Sequence, residues 1–547
     1  MSDGKKQLSV LIATHNRRSL LQRCLEALAQ QSLDPASFEV IVADDGSSDG
    51  TAAMVEALES PLQLRVLHLE KVGKSAALNA AIEIAQAGVC LFLDDDIVAS
   101  PQLAAEHLAA HRGDPSAFGI GALSQQPPDA RDWYAHAYAI AWNQRYDELA
   151  GRRLDWTDCY GGNVSAPRST LVAIGGFSTE LAAVEDLDLG FRLWRAGCRP
   201  VYLPRARGLH DDQKLRHRII ADTRRYGGLC AEFSRRDPSM GSKVIGWFTQ
   251  PTVRDVTLRR LLLLLRASPA GLAALGRLIP GRSRRQLWFG FVARYTFWLG
   301  VRNGMTRREW ARATRGTPVL MYHAFGDTGE RHRLIVERRA FARQMRALRL
   351  LRFRVIAYRD LADRLRNSQP LPSRTVAITI DDGYRDIAEF AQPILFRYGF
   401  PSTVFLVSGR LGAANTWDED EAMSGRPLLE ADEIARLQTE GVQFGAHTRT
   451  HCSLPDASDE TVDEEIAGSR TDLQQALRQP VTTLAFPYGR FDERALETAQ
   501  KAGFLSACTV EPRPVHDGDD PYLVPRIEIQ GSDSIWCFLR KLWFGGA

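Results

Sequence analysis

The stretch LSVLIATHNR at residues 8–17 decides the fold class, because it places a short apolar run directly before polar residues and a helical spacing. The apolar part, 8–13, predicts a buried strand, and the spacing over 18–31 predicts a helix. Three more apolar runs of strand length follow, separated by helical segments, at 38–43, 64–69 and 89–93. This alternation predicts an α/β domain with a parallel sheet and helices on both faces. Ligands bind beyond the carboxyl ends of such strands, so the residues after each strand are the candidate site.

A second alternation of the same kind starts at the apolar run 319–323 and continues from the run 375–380 almost to the end of the chain. The stretch 236–316 lies between the two. It is apolar, aromatic and basic, with 16 Lys and Arg against 3 Asp and Glu, and its spacing predicts several helices. The whole chain has 547 residues, which is too long for one ordinary core. We therefore expect a first α/β domain, a basic helical connector and a second α/β domain, at 1–235, 236–316 and 317–547.

Composition narrows the class of protein. The formal charge is only +3, because the excess of cations in the connector cancels an acidic balance in both α/β parts. This near-neutral total favours neither a nucleic-acid partner nor an acidic tail. The eight cysteines are scattered without a CxxC pair, so we expect reduced thiols. No secretory pattern and no run of 18 apolar residues is visible, so the default expectation is a cytoplasmic enzyme.

Carboxylates are concentrated at the strand ends of the first domain. Thr14, Asn16 and Arg17 follow the first strand, and Asp44-Asp45 and Asp94-Asp95-Asp96 follow the second and fourth. Neither a dinucleotide fingerprint nor a P-loop is present. Three consecutive carboxylates repel one another and are best tolerated beside Mg²⁺ or Mn²⁺, which prefer oxygen ligands. The alternative is a solvated acidic turn.

Further motifs follow in this domain, at Gly73-Lys74, Gly161-Gly162-Asn163, Gly175-Gly176-Phe177 and Glu185-Asp186. Together with the strand ends they resemble the inverting GT-A glycosyltransferases of family 2, over about residues 7–235. The resemblance implies a Rossmann-like GT-A fold and a UDP-sugar donor. It implies nucleotide-sugar contacts from Thr14, Asn16, Arg17, Asp44, Asp45, Lys74, Asp94 and Asp95, a metal ligand in Asp96, and acceptor contacts from Gly161, Gly162 and Asn163.

Glycosyl transfer needs a general base, because the acceptor hydroxyl loses a proton as it attacks the anomeric carbon. We expect Asp186 in this role, with Glu185 as the second choice. An acidic pair at a helix start is also an ordinary N-terminal arrangement, which is the alternative. His210 follows a strand-like run and is either a third metal ligand or a loop histidine. The QxxRW motif of processive synthases is absent, which favours the addition of one or a few sugars.

The second domain carries a different constellation. The strand 375–380 ends in Asp381-Asp382-Gly383, and His447 and His451 follow later. Two histidines four residues apart can lie on one face of a helical turn and bind one metal ion. A carboxylate from another strand would complete three protein ligands, the arrangement of a catalytic zinc site.

These residues, with Phe486-Pro487-Tyr488-Gly489, resemble the NodB-homology polysaccharide deacetylases of carbohydrate esterase family 4, over about residues 317–531. The resemblance implies a distorted (β/α) barrel and Zn²⁺ or another divalent transition metal. By the resemblance, Asp381 is the general base, and Asp382, His447 and His451 are the metal ligands.

The second domain departs from the family pattern at three points. The arginine that usually orients the base is replaced by Ala485, so the orientation must come from elsewhere or be looser. No LxH motif is present, and the Tyr322-His323 pair suggests a permuted order in which His323 is the general acid. The alternatives are that His323 is a core residue or that His516 is the acid. The DxxxW motif is also missing, since Trp417 precedes the metal histidines.

The joint hypothesis is one bifunctional enzyme. Its first domain transfers an N-acetylhexosamine, expected to be GlcNAc, from a UDP-sugar to a glycan or lipid-linked acceptor, and its second domain removes the acetyl group. In one alternative the domains act on different sugars of one glycan, and in another the deacetylase part is a non-catalytic binding or scaffolding unit. The connector at 236–316 either packs on the acidic domains or contacts the inner face of the cell membrane. Neither domain gives nucleic acid a role.

Overall fold

The computed structural model describes residues 6–152, 154–181, 184–212, 214–236, 253–327 and 332–545. Its contacts divide the chain into two compact units, 1–231 with 262–304 and 232–261 with 305–547. The predicted connector is therefore divided between the two units, and its stretch 237–252 lies outside the described residues.

The first part of the chain alternates strands and helices as predicted. Its elements are β1 (Leu8–Thr14), α1 (Arg18–Leu28), β2 (Phe38–Asp44), α2 (Thr51–Glu56), β3 (Leu64–His68), α3 (Lys74–Ile84), β4 (Val89–Leu93), β5 (Ile97–Ala99), α4 (Leu103–Gly113), β6 (Ala117–Gln125), α5 (Trp133–Leu149), β7 (Asn163–Pro167), α6 (Arg168–Ala173), α7 (Glu185–Arg195), β8 (Arg199–His210) and α8 (Arg216–Arg236).

These strands form one sheet in the order β3-β2-β1-β4-β7-β6-β8-β5. The first four strands are parallel, as the alternation predicted. The other half is mixed, because β7 runs antiparallel to both β4 and β6. The reversal places Asn163 opposite Leu93, so the glycines before β7 lie beside the carboxylates that follow β4. The sheet is buried on both faces by two apolar clusters, one containing Val10 and Ile12 and the other Leu11.

Four helices follow: α9 (Val253–Leu264), α10 (Pro269–Leu275), α11 (Arg282–Gly304) and α12 (Arg307–Arg315). α11 packs on α8 with backbone nearly in contact with backbone. A Cβ atom on Gly227 would lie 2.2 Å from the carbonyl oxygen of Phe297, and one on Gly300 would lie 2.0 Å from that of Arg224. These two glycines therefore allow the close helix crossing that joins α11 to the first unit.

The second unit again alternates strands and helices. Its elements are β9 (Val319–Tyr322), β10 (Ala324–Phe325), β11 (Ile335–Val336), α13 (Arg338–Leu350), β12 (Arg354–Ile356), α14 (Tyr358–Arg366), β13 (Thr375–Ile380), α15 (Gln392–Tyr398), β14 (Thr403–Leu406), α16 (Ala431–Thr439), β15 (Gln443–Ala446), α17 (Asp459–Asp463), α18 (Ser469–Leu477), β16 (Thr483–Ala485), α19 (Glu493–Lys501), β17 (Ser506–Cys508), β18 (Ile527–Glu528) and α20 (Ile535–Phe544).

The main sheet of this unit is parallel, in the order β17-β16-β15-β14-β13-β9-β18, with β12 also paired to β13. One short segment connects its two edges. Val524 forms a parallel bridge with Cys508 on β17, and Ile527 pairs with Leu320 on β9. The sheet thereby curves into the distorted barrel that the sequence predicted. Within the described part of the chain, no helix combines the length and the apolar character needed to cross a membrane.

The α8–α11 crossing predicts a position-specific effect on stability. Gly300→Val would force the two backbones apart, and we expect it to lower the free energy of unfolding of the first unit by about 1–3 kcal/mol or more. The matched control is Gly290→Ala on the same helix, where a Cβ atom meets nothing closer than 3.5 Å and helix propensity favours alanine. Thermal unfolding of the full chain measures both variants. An unchanged melting temperature for Gly300→Val would show that the crossing does not limit stability.

Candidate functional sites

The first site lies where β4 ends. Asp94, Asp96 and His210 each offer one ligand atom, and these atoms all lie within 4.8 Å of one another. His210, the last residue of β8, reaches this point because β8 pairs with β5, which follows the three aspartates. The group lines a cavity of about 270 Å³ that is also lined by Lys74 and Asp186. This geometry favours the interpretation of His210 as a metal ligand over that of a loop histidine.

The middle aspartate has a different environment. Asp95 accepts a hydrogen bond of 2.7 Å from the Thr14 hydroxyl and forms an ion pair with Arg17 at 2.7 Å. Burial raises the pKa of Asp95 to about 6, against the opposing effect of Arg17. Asp95 therefore ties β1 to the end of β4, while its two neighbours face the cavity. Direct contact of Asp95 and Thr14 with a nucleotide-sugar stays a prediction.

Two cations partly neutralise the acidic cluster. Lys74 Nζ lies 2.7 Å from Asp94, and Arg17 lies 3.1 Å from Asp96 and 2.9 Å from Asp212. Burial would raise the pKa of Asp94, but Lys74, followed by His210 and Arg17, opposes it and the pKa is lowered. One oxygen of Asp96, Oδ1, is buried and has no hydrogen-bond partner among the described residues. A buried carboxylate oxygen without a partner, beside a second carboxylate and an imidazole, fits a divalent cation such as Mg²⁺ or Mn²⁺.

The predicted nucleotide contacts after β1 and β2 form a connected loop scaffold. Asp45 accepts backbone N–H groups of Val72 and Gly73 before α3, and Asp44 accepts that of Ser47. Asn16, with a positive φ of 54°, accepts the backbone N–H of Ser48. These bonds hold the ends of β1 and β2 and the start of α3 together. The role of Asp44, Asp45 and Asn16 in nucleotide binding remains a prediction.

The predicted base sits in the first turn of α7. Asp186 accepts backbone N–H groups from Gly161 at 3.2 Å and from Leu187 at 2.9 Å. Burial, followed by the neighbouring Glu185, raises the pKa of Asp186 to about 6. Glu185 lines the same cavity. A carboxylate with a pKa near 6 is suited to accept a proton near neutral pH.

The glycine loop before β7 joins these groups. The backbone N–H of Asp94 donates to the carbonyl oxygen of Gly162 at 3.2 Å, and Gly161 holds Asp186. Asn163, predicted to contact the acceptor, is instead buried, and its amide bonds to His107 and to the carbonyl oxygen of Ala206. Its environment therefore supports a role in holding the loop, because the cavity is lined by Gly161 and Gly162 and not by Asn163.

The second site lies at the carboxyl ends of β13 and β15. Asp382 Oδ1 is 3.5 Å from His447 Nε2 and 3.4 Å from His451 Nε2. Ligands about 2.0–2.2 Å from a tetrahedral ion are separated by about 3.3–3.6 Å, so Asp382 lies from each histidine at the spacing of two ligands of one metal ion. Asp382 Oδ1 has no hydrogen-bond partner within the described ranges. The trio therefore fits Zn²⁺ or another divalent transition metal.

The histidines are prepared for ligation. His447 Nδ1 bonds to the carbonyl oxygen of Ala485 at 2.7 Å, which leaves its Nε2 lone pair directed at Asp382. Burial lowers the pKa of His447 to about 4 and that of His451 to about 2, so both rings are neutral. The helical turn expected for this pair is wrong, since residues 447–451 form a loop in which Thr448 and His451 have positive φ. That backbone strain is typical of functional sites.

Arg526 supplies the orientation that Ala485 cannot. Its guanidinium holds both oxygens of Asp381 at 2.6 and 2.8 Å, and its side chain is 0% exposed. Burial would raise the pKa of Asp381, but Arg526, followed by His447 and His323, opposes it and the pKa is lowered to about 2. Sequence reasoning missed Arg526, because it belongs to no spacing motif and reaches Asp381 only through the segment that connects the barrel edges.

The two candidate acids lie at opposite ends of β9. His323 follows that strand directly and adjoins Asp381, whose backbone N–H bonds to the carbonyl oxygen of Tyr322 at 2.9 Å. His323 Nδ1 is buried without a partner in the described structure. His516 instead lies beside Gly316, before β9 begins. This placement favours His323, whose catalytic role stays a prediction.

Aromatic rings enclose the metal trio. Trp417 stacks on His451 with ring centroids 4.8 Å apart, and Tyr488 meets the same ring edge-on at 4.7 Å. Trp417 precedes the histidines in sequence, whereas the DxxxW motif would place a tryptophan after them, so the sequence shows no match to that motif. The fold nevertheless brings an indole to the metal site.

Metal content tests the second site directly. We expect His451→Ala to lower the content of tightly bound Zn²⁺ or similar transition metal from about one ion per chain to less than about 0.1 ion per chain, because two protein ligands rarely retain such an ion. Elemental analysis of the dialysed full chain measures it. His516→Ala is the matched control, since it removes a partly buried histidine at the other end of β9. Equal metal content in both variants would contradict the assignment.

Two family comparisons agree with this division. The sequence model of the family described as Glycosyl transferase family 2 matches residues 9–170, and that of the family described as Polysaccharide deacetylase matches residues 368–507. Each match contains the strand-end carboxylates of one site. Members of both families are generally dependent on a divalent metal.

Relatives match each half separately. Validoxylamine A glucosyltransferase of Streptomyces hygroscopicus subsp. limoneus is 28% identical over 261 residues, which are 43% of this chain and 57% of that protein. Poly-beta-1,6-N-acetyl-D-glucosamine N-deacetylase of Staphylococcus aureus is 29% identical over 183 residues, which are 32% of this chain and 60% of that protein. The chain thus spans less than two thirds of the length of either relative.

Among solved structures, the Streptococcus pyogenes deacetylase PplD in complex with acetate aligns with a TM-score of 0.37 and 23% identity, over 42% of this chain and 98% of that one. The family matches are the decisive comparison, because the first contains Asp94 and Asp96 and the second contains Asp382, His447 and His451. The chain joins a family 2 glycosyltransferase domain to a polysaccharide deacetylase domain of the NodB type.

Proposed function

We propose that the chain transfers an N-acetylhexosamine, GlcNAc in the first instance, from a UDP-sugar to a glycan or glycolipid acceptor and then removes the acetyl group. One observation carries the proposal. Each domain places three potential metal ligands beside a further carboxylate that does not belong to the three, Asp186 in the first domain and Asp381 in the second. A cation site with an adjacent proton acceptor suits both glycosyl transfer and amide hydrolysis.

In the transferase domain, Asp186 accepts the proton of the acceptor hydroxyl as that oxygen bonds to the anomeric carbon, and the nucleoside diphosphate leaves with the bonding electron pair. Attack from the face opposite the leaving group inverts the anomeric centre. Gly161 fixes Asp186 through its backbone N–H. Lys74, which pairs with Asp94, supplies a positive charge for a donor phosphate in this proposal. A divalent cation held by Asp94, Asp96 and His210 would offset the charge of the leaving diphosphate.

In the deacetylase domain, Asp381 accepts the proton of the attacking water, and His323 donates a proton to the departing amine. Arg526 keeps Asp381 ionised and fixes the direction of its carboxylate. A divalent ion held by Asp382, His447 and His451 would act as a Lewis acid on the acetamide carbonyl. The products are acetate and a sugar with a free amine.

Sequential action is supported by the substrate for which a relative of the second domain is named. The S. aureus relative is named for N-deacetylation of a polymer of N-acetylglucosamine, so an acetamido sugar suits the second domain. Fusion of the two domains keeps the acetylated intermediate at high local concentration.

A second candidate is that the two domains act on different sugars of one glycan. One observation favours it: the transferase relative is named a glucosyltransferase, and glucose has no acetyl group to remove. In that case the deacetylase would act on an acetamido sugar already present in the acceptor.

Product analysis distinguishes these candidates. Incubation with a panel of UDP-sugars and soluble and lipid-linked acceptors, followed by mass spectrometry, should give a de-N-acetylated product with UDP-GlcNAc. We expect Asp381→Asn to leave the acetylated product and Asp96→Asn to abolish transfer, because they remove a base and a metal ligand. The paired control is an acetylated glycan added directly as substrate, which the Asp96→Asn variant should still deacetylate. A wild-type product that retains its acetyl group would contradict sequential action.

The contact of Arg526 with Asp381 predicts that substitution of Arg526 shifts the pH profile of deacetylation. Asp381 is ionised above its lowered pKa of about 2, so protonation of the base does not limit the wild-type rate near neutrality. In Arg526→Met the strongest opposition to burial is lost, so the pKa of Asp381 rises and the acid limb of the kcat/KM profile moves to higher pH, with kcat lower by about a hundredfold.

Arg526→Lys is the conservative control for this prediction. It keeps the charge but offers no fork for both oxygens, so we expect an intermediate rate and a smaller pH shift. Because removal of one partner of a buried pair costs about 3–5 kcal/mol of stability, thermal unfolding is measured alongside. A folded Arg526→Met variant with the wild-type pH profile would show that Arg526 does not act through Asp381.

A further inference from the structure

The segment from the end of α9 to the first turns of α11 exposes an unusual number of leucines. Leu264, Leu265, Leu275, Leu278 and Leu287 are 80, 66, 51, 79 and 76% exposed. They account for five of the seventeen large apolar side chains exposed in the described ranges, within 24 residues of sequence. Clustered apolar exposure of this kind marks an interaction surface, since single exposed leucines are scattered on ordinary surfaces. We call residues 262–287 the leucine hairpin.

The leucine hairpin is fixed to α11 along its length. The Tyr295 hydroxyl donates to the carbonyl oxygens of Leu262 and Ala267, at 3.2 and 2.9 Å. Trp288 Nε1 donates to that of Leu272 at 2.9 Å, and Arg285 donates to that of Ile279 at 2.8 Å. The exposed leucines therefore extend from a backbone that is held in place, and they cannot turn inward without breaking these bonds.

The stretch of sequence that contains the leucines carries charge of one sign. Between Asp255 and Glu309 the sequence contains 11 arginines and no Asp or Glu. Four of these arginines, Arg266, Arg277, Arg282 and Arg284, are exposed and alternate with the leucines. A partner must therefore offer both negative charge and an apolar interior. An anionic lipid bilayer offers both, phosphates for the arginines and acyl chains for the leucines.

We propose that the leucine hairpin docks on the surface of an anionic lipid bilayer. Two other occupants fit the observations less well. A nucleic acid would pair with the arginines but leave the leucines in water. A second copy of the chain across a two-fold axis would place the arginines of this stretch against one another, and the stretch itself supplies no acidic residue to pair with them.

The hairpin is also connected to the transferase cavity. A Cβ atom on Gly276 would lie 2.1 Å from the ring of Trp133, so the hairpin rests directly on the start of α5. The same helix carries Trp142, which lines the cavity. Nine residues of helix span about 13 Å, so docking holds the cavity close to the bilayer surface. This placement suits an acceptor that is anchored in the membrane by a lipid carrier. That part of the inference rests on the proposed transfer reaction.

Vesicle binding by the full chain tests the docking without any sugar substrate. We expect co-sedimentation with vesicles of phosphatidylcholine and phosphatidylglycerol but not with phosphatidylcholine alone, and weaker binding as salt is added. The triple variant Leu264→Ser/Leu278→Ser/Leu287→Ser should bind about tenfold more weakly or worse, as should Arg282→Glu/Arg284→Glu. Leu350→Ser, which alters a leucine 69% exposed in the other unit, is the matched control and should bind as wild type.

Several results would overturn the proposal. Wild-type protein that stays in the supernatant is one, and binding that ignores anionic lipid or survives both variants is another. A stable dimer that the leucine variants dissociate would assign the surface to a second copy instead. Duplex DNA that binds the wild type and the leucine variant equally well, in the absence of vesicle binding, would assign it to nucleic acid. The substituted side chains are exposed, and unchanged melting temperatures confirm that the variants fold. Failure of glycosyl transfer would leave the vesicle result unaffected.

Discussion

Repulsion between carboxylates at the ends of parallel strands is the constraint on which both domains depend. Each sheet ends in adjacent aspartates, Asp94 to Asp96 in one and Asp381-Asp382 in the other. Parallel strands bring such groups to one edge with little water between them, where like charges interact strongly. The fold is tenable only because cations are supplied from elsewhere in the chain and because each cluster leaves ligand atoms spaced for a metal ion.

The two domains supply these cations differently. In the transferase domain they are Arg17 and Lys74, whose side chains remain 29% and 46% exposed. Long, partly exposed side chains can exchange a carboxylate for a substrate phosphate as the donor arrives. In the deacetylase domain the cation is Arg526, which is 0% exposed and grips both oxygens of Asp381. Here the pair is buried and involves both oxygens, which suits the proposed role of Asp381 as a base held in one orientation. The difference agrees with the proposed chemistry, in which a donor with phosphates binds at one site and an uncharged acetamido sugar at the other.

Much of the fold could be predicted because its signals are local. The strand at 375–380 and the strand at 89–93 have the predicted bounds, and the predicted helix at 18–31 ends three residues early. The antiparallel half of the first sheet could not be predicted, because β7 has the sequence NVSAP, which contains no apolar run, and a short strand carries no local signal of its direction. The loop at 447–451 was also misjudged: a spacing of four residues is compatible with a helix and with a strained loop, and only the contacts of β15 with its neighbours select the loop.

The sequence by itself determined the two families, the order of the domains and the identity of the carboxylates and histidines that end the strands, because each of these lies within a few residues of an apolar run. Only the tertiary structure decided which of them meet. It brought His210 to Asp94 and Asp96, buried Asn163 beneath its loop, and placed Arg526 and Trp417 at the deacetylase site. The physical reason is that contacts between residues far apart in sequence depend on sheet order and on the segment that joins the barrel edges, and neither leaves a periodic trace in the sequence.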